Sequence, residues 1–251
     1  MAEDNAQRLA TGPLMAERVN TAFDFDELWR GTWGDIQSVG PVHRHLQRVL
    51  TRTINGLDAI TILDVGCGAG QNLAALAKEG RYDLTGIDVS MEALRQAKQR
   101  LPGARFVVMD AQTATLNTRF DVVMSMGVLE HLPDGQAAVS RMAALARRWV
   151  LVNTIGGAIY PNDHAVGHIT SYTKQTLAAT LERAGLKLEW ISAWGFPFHS
   201  VVRALTQRTP YGPATGHLGP LRRLTSRSLF HLYKVNVPGR GDVITGLARR
   251  V

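Results

Sequence analysis

The sequence predicts an α/β fold: a seven-stranded, mostly parallel sheet with helices on both faces, extended by helical cap elements. Three observations carry this. Apolar or β-branched Ile60, Thr61, Ile62 and Leu63 run into Asp64-Val65-Gly66-Cys67-Gly68-Ala69-Gly70 and an Ala/Leu-rich segment, the pattern of a buried parallel strand, a tight turn and a helix start. Strand and helix patterns then alternate through the first half of the chain. Finally, 251 residues with 45% hydrophobic and 20% charged content are enough for one large core with embellishments.

Taken in order, the patterns place strands at 60–65, 83–88, 104–109 and 120–126, and helices at 70–79, 91–100 and near 136–147. Ser90 precedes Met91-Glu92-Ala93 as an N-cap, and Leu101-Pro102-Gly103 ends that helix. Trp149-Val150-Leu151-Val152-Asn153 makes a fifth strand, Thr173 caps a helix that stops before Gly185, and Lys187 to Ala193 is the sixth strand. Gly241 to Ala248 supplies the last. No internal repeat or low-complexity tract interrupts this order. The expected organisation is an N-terminal helical cap over 1–57, a core over 58–195, a basic helical insertion over 196–238 and a final core strand over 239–251. Within the first cap stand Phe23, Phe25, Trp29 and Trp33. A helical stretch from Val39 to Leu50 follows, whose Val42, Leu46, Val49 and Leu50 are expected to pack on the sheet.

The glycine loop identifies a ligand class. Gly66, Gly68 and Gly70 allow positive φ and let a ligand lie against the main chain where a Cβ would block it. The third glycine comes one residue early for a dinucleotide G-x-G-x-x-G, and Asp64, two residues before the first glycine, would repel a pyrophosphate. A carboxylate instead attracts a cofactor that carries an ammonium and a sulfonium. Tyr82-Asp83-Leu84-Thr85-Gly86-Ile87-Asp88 ends in an acid at the spacing from which a carboxylate reaches ribose hydroxyls. Phe106-Val107-Val108-Met109-Asp110 ends in another, suited to accept from an adenine amino group. Strand-end acids around one glycine loop describe S-adenosylmethionine. The residues expected at it are Asp64, Gly66, Cys67, Gly68, Asp88, Val89, Asp110, Ala111 and Met126, with Asp64 either shaping the loop or holding the methionine amine.

Asp64-Val65-Gly66-Cys67-Gly68-Ala69-Gly70, Gly86-Ile87-Asp88-Val89-Ser90, Asp110-Ala111, and Phe120-Asp121-Val122-Val123 leading to Leu129-Glu130-His131-Leu132-Pro133-Asp134 occur in that order. With these motifs the chain resembles the class I S-adenosylmethionine-dependent methyltransferases, over roughly residues 58 to 195 and more loosely at 240 to 248. The resemblance implies a Rossmann-like sheet whose last strand is antiparallel at the edge. The Glu-His-Leu-Pro-Asp segment and Gly167-His168-Ile169-Thr170-Ser171-Tyr172-Thr173 look like the branch that methylates small molecules, among them ubiquinone-biosynthesis O-methyltransferases and natural-product tailoring enzymes. What this implies is methyl transfer to a small aromatic or lipid-like hydroxyl. C- or N-methylation of a natural product, RNA methylation, and cofactor binding without turnover stay open beside it. Some relatives in quinone biosynthesis carry a metal-binding Glu-x-x-Glu-His cluster; here Gly127 stands at the first position, so no metal is expected.

Methyl transfer from a sulfonium needs alignment and exclusion of water, and an oxygen nucleophile gains from a base. His131, following the fourth strand, is the expected base, since an unperturbed imidazole with a pKa of about 6.5 is mostly neutral at pH 7; a helix-start histidine bonded to backbone is the other reading. Trp33, Tyr160, His164 and His168 are expected in the substrate pocket, Trp33 as part of a lid. His43-Arg44-His45 either contacts an anionic group, such as the methionine carboxylate, or forms a solvated helix face.

The formal net charge of +7 belongs to the last third of the chain. From Ile191 onward Asp242 is the sole acid, against Arg203, Arg208, Arg222, Arg223, Arg227, Lys234, Arg240, Arg249 and Arg250. Leu221, Leu224, Leu229, Leu232 and Tyr233 are expected on one helix face with Arg223, Arg227 and Lys234 on another. That pattern suits peripheral contact with an anionic membrane, an acidic partner or an anionic substrate, or simply a capping helix with a soluble face. A nucleic-acid partner is not expected, because the bases lack interleaved aromatics. No apolar run is long enough to span a bilayer, and Met1-Ala2-Glu3-Asp4-Asn5 is no secretory signal. The single cysteine, Cys67, excludes a disulfide framework, so a cytoplasmic location is expected.

Overall fold

Apolar runs bounded by glycine turns build the centre of the molecule. The computed structural model describes residues 24–33, 36–206, 208 and 219–251; the expectations on residues 1–23, including Phe23, and on Gly34 and most of the stretch from 207 to 218 lie outside these. The chain enters through α1 (Phe25–Glu27), a π-helical turn (Leu28–Thr32), α2 (Ile36–Val39) and α3 (Pro41–Asn55). Then follow β1 (Thr61–Val65), α4 (Gln71–Ala77), β2 (Asp83–Asp88), α5 (Met91–Arg100), β3 (Arg105–Val108), β4 (Phe120–Met126), a short 3₁₀ turn (Leu129–His131), α6 (Gly135–Leu145) and β5 (Ala146–Ile155). The last part comprises α7 (Pro161–Ala165), α8 (Lys174–Arg183), β6 (Leu186–Trp194), α9 (Phe198–Thr206), α10 (Pro220–Tyr233) and β7 (Val243–Arg250).

One seven-stranded sheet results, in the order β3-β2-β1-β4-β5-β7-β6. The first five strands run parallel, and β7 is antiparallel to both β5 and β6. The expectation of β7 at the edge is therefore corrected: β7 is inserted, and β6 closes the sheet. Its residues Val243 to Ala248 are buried in succession, as a strand covered on both faces requires, whereas burial along β6 is interrupted.

The period of two divides β1 between two cores. Leu63 joins Val123, Val150, Leu177 and Ile244 under α6 and α8, while Ile62 joins Val122, Leu151, Leu73 and Leu76 on the opposite face. Leu50 and Ile54 of α3 pack into the second core, but Val42 and Leu46, two turns earlier, face a cavity instead. Caps fix the helix starts: Ser90 Oγ accepts from the Ala93 amide at 3.0 Å, Asp134 from Ala137 at 2.8 Å and Thr173 from Thr176 at 3.0 Å.

The face of α10 is rotated from its expected orientation. Ser226, Phe230 and Tyr233 are buried, whereas Leu221 and Leu224 are 73% and 61% exposed. Contacts with α3 set this orientation. Ser226 Oγ donates to the Val39 carbonyl at 2.7 Å, and the Arg44 guanidinium lies 4.1 Å from the Phe230 ring centroid, a cation–π contact that takes Arg44 away from any anionic ligand. The outer side of the helix thus mixes leucines with bases. Phe230→Ala is expected to cost about 3 kcal/mol in urea unfolding, and Leu224→Ala no more than about 0.5 kcal/mol; the reverse order would restore the leucine face as the buried one.

Candidate functional site

The carboxyl ends of the parallel strands open onto one cavity of about 600 Å³, within the range of small-molecule sites. Its floor begins at the loop after β1. The Gly66 and Cys67 amides donate to the Ile87 carbonyl at 2.8 and 2.9 Å, and the Gly68 amide to Asp88 Oδ2 at 2.8 Å. Positive φ at Gly66, Gly68 and Gly70 makes this path possible; a Cβ on Gly66 would run into the Val128 side chain. Asp88 Oδ1 accepts from Ser90 N at 2.9 Å, so each carboxylate oxygen keeps acceptor capacity toward the cavity. Asp110 Oδ1 accepts from the Gln112 amide at 2.7 Å. Gly66, Cys67, Gly68, Asp88, Val89, Asp110, Ala111 and Met126 all line the cavity.

Asp64 does not. It is fully buried behind the wall, and both carboxylate oxygens lack a hydrogen-bond partner among the described residues. Burial and then the neighbouring Asp88 push its pKa up to about 8. This position, beneath the loop rather than on the cavity wall, suits the first of its two expected roles, shaping the loop. Cys67 is buried too, its thiol raised well above the ordinary range by burial and by Asp88 and Asp64. Its sulfur fills the space beside Gly86, where a Cβ would collide with it.

Aromatic side chains roof the loop. Trp29 lies directly over Gly68, with Trp33 at a ring-centroid distance of 5.1 Å from Trp29 and 6.0 Å from His131. Phe25 stacks on Trp33 at 6.1 Å, and Asp26 ties this roof to the floor by accepting from Ser90 Oγ at 2.5 Å and from the Glu92 amide at 3.1 Å. His131 lines the cavity beneath. Burial and then His168 pull its pKa down to about 3, against a hydrogen bond to the Gly167 backbone; it is neutral at pH 7 but a much weaker base than an unperturbed imidazole. Glu130 is buried beside it, accepts from Thr154 Oγ1 at 2.8 Å and is raised by burial. Among the described residues, no group of three His, Cys, Asp or Glu side chains is arranged to hold a metal ion.

The far end of the cavity carries two histidine–carboxylate pairs. His168 Nδ1 lies 3.2 Å from Asp163 Oδ1, and His199 Nδ1 lies 3.0 Å from Asp242 Oδ1. Arg203 forks between them, donating to Asp163 Oδ2 at 2.7 Å and Asp242 Oδ2 at 2.9 Å, and to the Ala158 and Gly156 carbonyls at 3.2 Å each. Burial alone would raise both carboxyl pKa values, but the imidazole hydrogen bonds and the Arg203 charge reverse that and hold both low. His168 and His131 meet edge to face at 4.6 Å.

Of the expected pocket residues, the cavity gathers Trp33, His131 and His168, while Tyr160 and His164 lie outside its wall. His164 is exposed on α7, and the Tyr160 ring lies 5.1 Å from the Arg203 guanidinium carbon. His43 reaches the cavity but His45 stacks on Trp194 at 3.7 Å. Sequence reasoning missed Trp29, Asp26, His199 and Arg203 as site residues. Asp242, the lone acid in a basic third of the chain, was the signal available for the last two.

Comparison with known proteins agrees with this geometry. Residues 62–148 match the family described as Methyltransferase domain. A ubiquinone biosynthesis O-methyltransferase from Leptothrix cholodnii is 32% identical over 143 residues, covering 52% of this chain and 60% of that protein. The chain thus spans less than two thirds of the length of the curated relatives it matches. Among solved structures, magnesium protoporphyrin IX methyltransferase (ChlM) from Synechocystis PCC 6803 with bound SAM superposes with a TM-score of 0.53 at 15% identity, covering 84% of this chain and 82% of that one. The [4+2]-cyclase SpnF gives 0.58 at 18% identity, with 88% and 86% covered. At these identities the structural likeness establishes the fold.

A pH dependence follows from Asp64. Its folded pKa of about 8 lies above an unfolded value of about 3.9, so between these pH values the native state holds a proton that the unfolded chain has lost. This contribution to stability is complete below the lower value and declines as pH rises to the upper one. Asp64→Asn is expected to remove the decline: urea unfolding of the ligand-free proteins should diverge in the variant's favour by up to about 1.4 kcal/mol per pH unit. Parallel stability curves would place an ionised Asp64 in the native state.

Proposed function

We propose that this chain, whose central sheet is a class I S-adenosylmethionine-dependent methyltransferase domain, transfers a methyl group to a small-molecule acceptor, a hydroxyl of an aromatic or lipid-like metabolite. The observation that carries the reading is the continuity of one cavity from the glycine loop, past His131, to the walls formed by Val42 and Leu46 of α3 and Leu229 of α10. One end offers bare main chain and the carboxylates of Asp88 and Asp110, and the other offers apolar surface with imidazoles. The ubiquinone-pathway relative supports oxygen as the acceptor atom.

The residues present fit the cofactor. Three positive-φ glycines leave the main chain bare, and the cavity-lining carboxyl of Asp88, raised by burial and by the nearby Asp26, describes surroundings that a cationic ligand relieves. Gly66, Cys67 and Gly68 would carry its amino-acid end, Asp88 the ribose hydroxyls, Asp110 and Ala111 the adenine, with Val89 and Met126 flanking. When bound, S-adenosylmethionine supplies an electrophilic methyl carbon on a sulfonium. The chain's own contribution is placement: Trp29 and Trp33 exclude water from above, and His131, neutral and fixed through Gly167, forms the wall against which an acceptor hydroxyl lies. His43, desolvated and near His199, is held at about 4 and is likewise neutral, so this end suits an uncharged acceptor.

Calorimetric titration with S-adenosylmethionine and its demethylated product tests the cofactor reading. Micromolar binding is expected, weakened about 10- to 100-fold in Asp88→Ala; undiminished affinity would move the ribose elsewhere. His131→Ala should lower turnover on phenolic acceptors while leaving that affinity nearly unchanged. Turnover only on amines or carbon acids would favour N- or C-methylation, salt-sensitive RNA binding an RNA substrate, and binding without turnover on a broad panel a cofactor-binding module.

A further inference from the structure

The histidine-bearing end of the cavity holds more chemistry than placement of an acceptor requires. Arg203 joins two carboxylates that face two imidazoles, and every member of this cluster lines one wall. One guanidinium between two carboxylates leaves an excess of negative charge beside two imidazoles. Burial makes that imbalance consequential, because Asp163, Arg203 and Asp242 are screened from bulk water.

The two imidazoles are not equivalent. His199 packs against Trp194 at 5.4 Å and Tyr233 at 5.5 Å, beside α10. His168 instead ends a run of rings that starts over the glycine loop, from Trp29 through Trp33 and His131, and so connects the far end of the cavity to the roof of that loop. Its Nδ1 is turned to Asp163, and a proton placed there leaves Nε2 as the ring's acceptor. Asp163 is itself locked: its Oδ2 accepts from the Tyr160 amide at 2.8 Å and from Arg203, and its carbonyl accepts from the His168 amide at 2.9 Å. The pair therefore has a nitrogen base oriented by a carboxylate that is oriented in turn.

We propose that His168, held by Asp163 and charge-balanced through Arg203 and Asp242, is the base that takes the acceptor's hydroxyl proton, with His131 as the wall beside it. The inference rests on the O-methylation reading above. The O–H bond breaks toward Nε2 of His168, and its electron pair stays on oxygen and becomes the new bond to the methyl carbon as the methyl–sulfur pair remains on sulfur. The imidazolium that results is stabilised by Asp163 and later returns its proton to solvent. Asp163 is a positioning residue in this scheme, fixing the tautomer.

Two phenols separate a base from a wall. Catechol needs a base, whereas 4-nitrocatechol carries a hydroxyl acidic enough to ionise without one. His168→Ala should reduce kcat/KM on catechol about 10²- to 10⁴-fold and on 4-nitrocatechol far less, with Asp163→Asn giving a smaller loss of the same pattern. His131→Ala should affect both phenols equally. Equal losses in His168→Ala, or none, would overturn the proposal. Independently of any acceptor, long-range ¹H–¹⁵N spectra of the protein loaded with demethylated cofactor should show His168 protonated on Nδ1, changing in Asp163→Asn. The opposite tautomer would overturn the proposal even if both phenols react. If the cofactor binds and the Nδ1–H tautomer is present but neither phenol nor any other hydroxyl is methylated, the O-methylation reading fails and the base assignment falls with it.

Discussion

The closure of the glycine loop on the end of β2 is the constraint from which the rest of the site follows. Two consecutive amides, Gly66 and Cys67, converge on the Ile87 carbonyl, and a third, Gly68, takes Asp88. That arrangement satisfies a turn buried among apolar neighbours, fixes Asp88 without exhausting its oxygens, and leaves a bare main-chain surface. It also explains the company the loop keeps. Gly86 must be small because Cys67 Sγ occupies its side, and Gly68 must be small because Trp29 lies on it. The cradle is thus built from contacts between neighbouring strands before any ligand is considered.

A second, independent fastening builds the other end. Arg203, from α9, holds Asp163 of α7 and Asp242 just before β7, and so draws together three elements far apart in sequence. Removing one partner would leave a buried charge uncompensated, a cost well above that of a surface pair. Together the two fastenings give one cavity with the glycine loop and Asp88 at one end and the Arg203-linked histidine–carboxylate pairs at the other.

Much of the first fastening was legible in the sequence because it is local or periodic. Glycine spacing, strand-end acids and cap residues such as Ser90 and Thr173 lie within a few residues of the structure they specify, and the parallel strands are apolar runs that no other element explains. The second was not legible in the same way. Whether β7 lies at the edge or is inserted depends on pairing partners about 90 residues away in β5, and nothing in Val243 to Ala248 alone reports that. The helical face of α10 was misread for a related reason: Leu221, Leu224 and Phe230 all look apolar on paper, and Arg44 of α3 decides which of them is buried. His164 and His168 are similarly placed in sequence, yet only His168 meets a carboxylate across the turn of α7.

On the function proposed above, methyl donor and acceptor share one cavity, with the loop of Gly66 to Gly68 at one end and His131 and His168 beside the transferred methyl group. A crystal structure of the protein with S-adenosylhomocysteine tests this most directly. The ribose is expected against Asp88, the adenine beside Asp110 and Ala111, and the sulfur turned toward the edge formed by His131. A ligand bound with its sulfur facing away from that edge, or seated outside the strand ends, would rule out a shared donor and acceptor cavity.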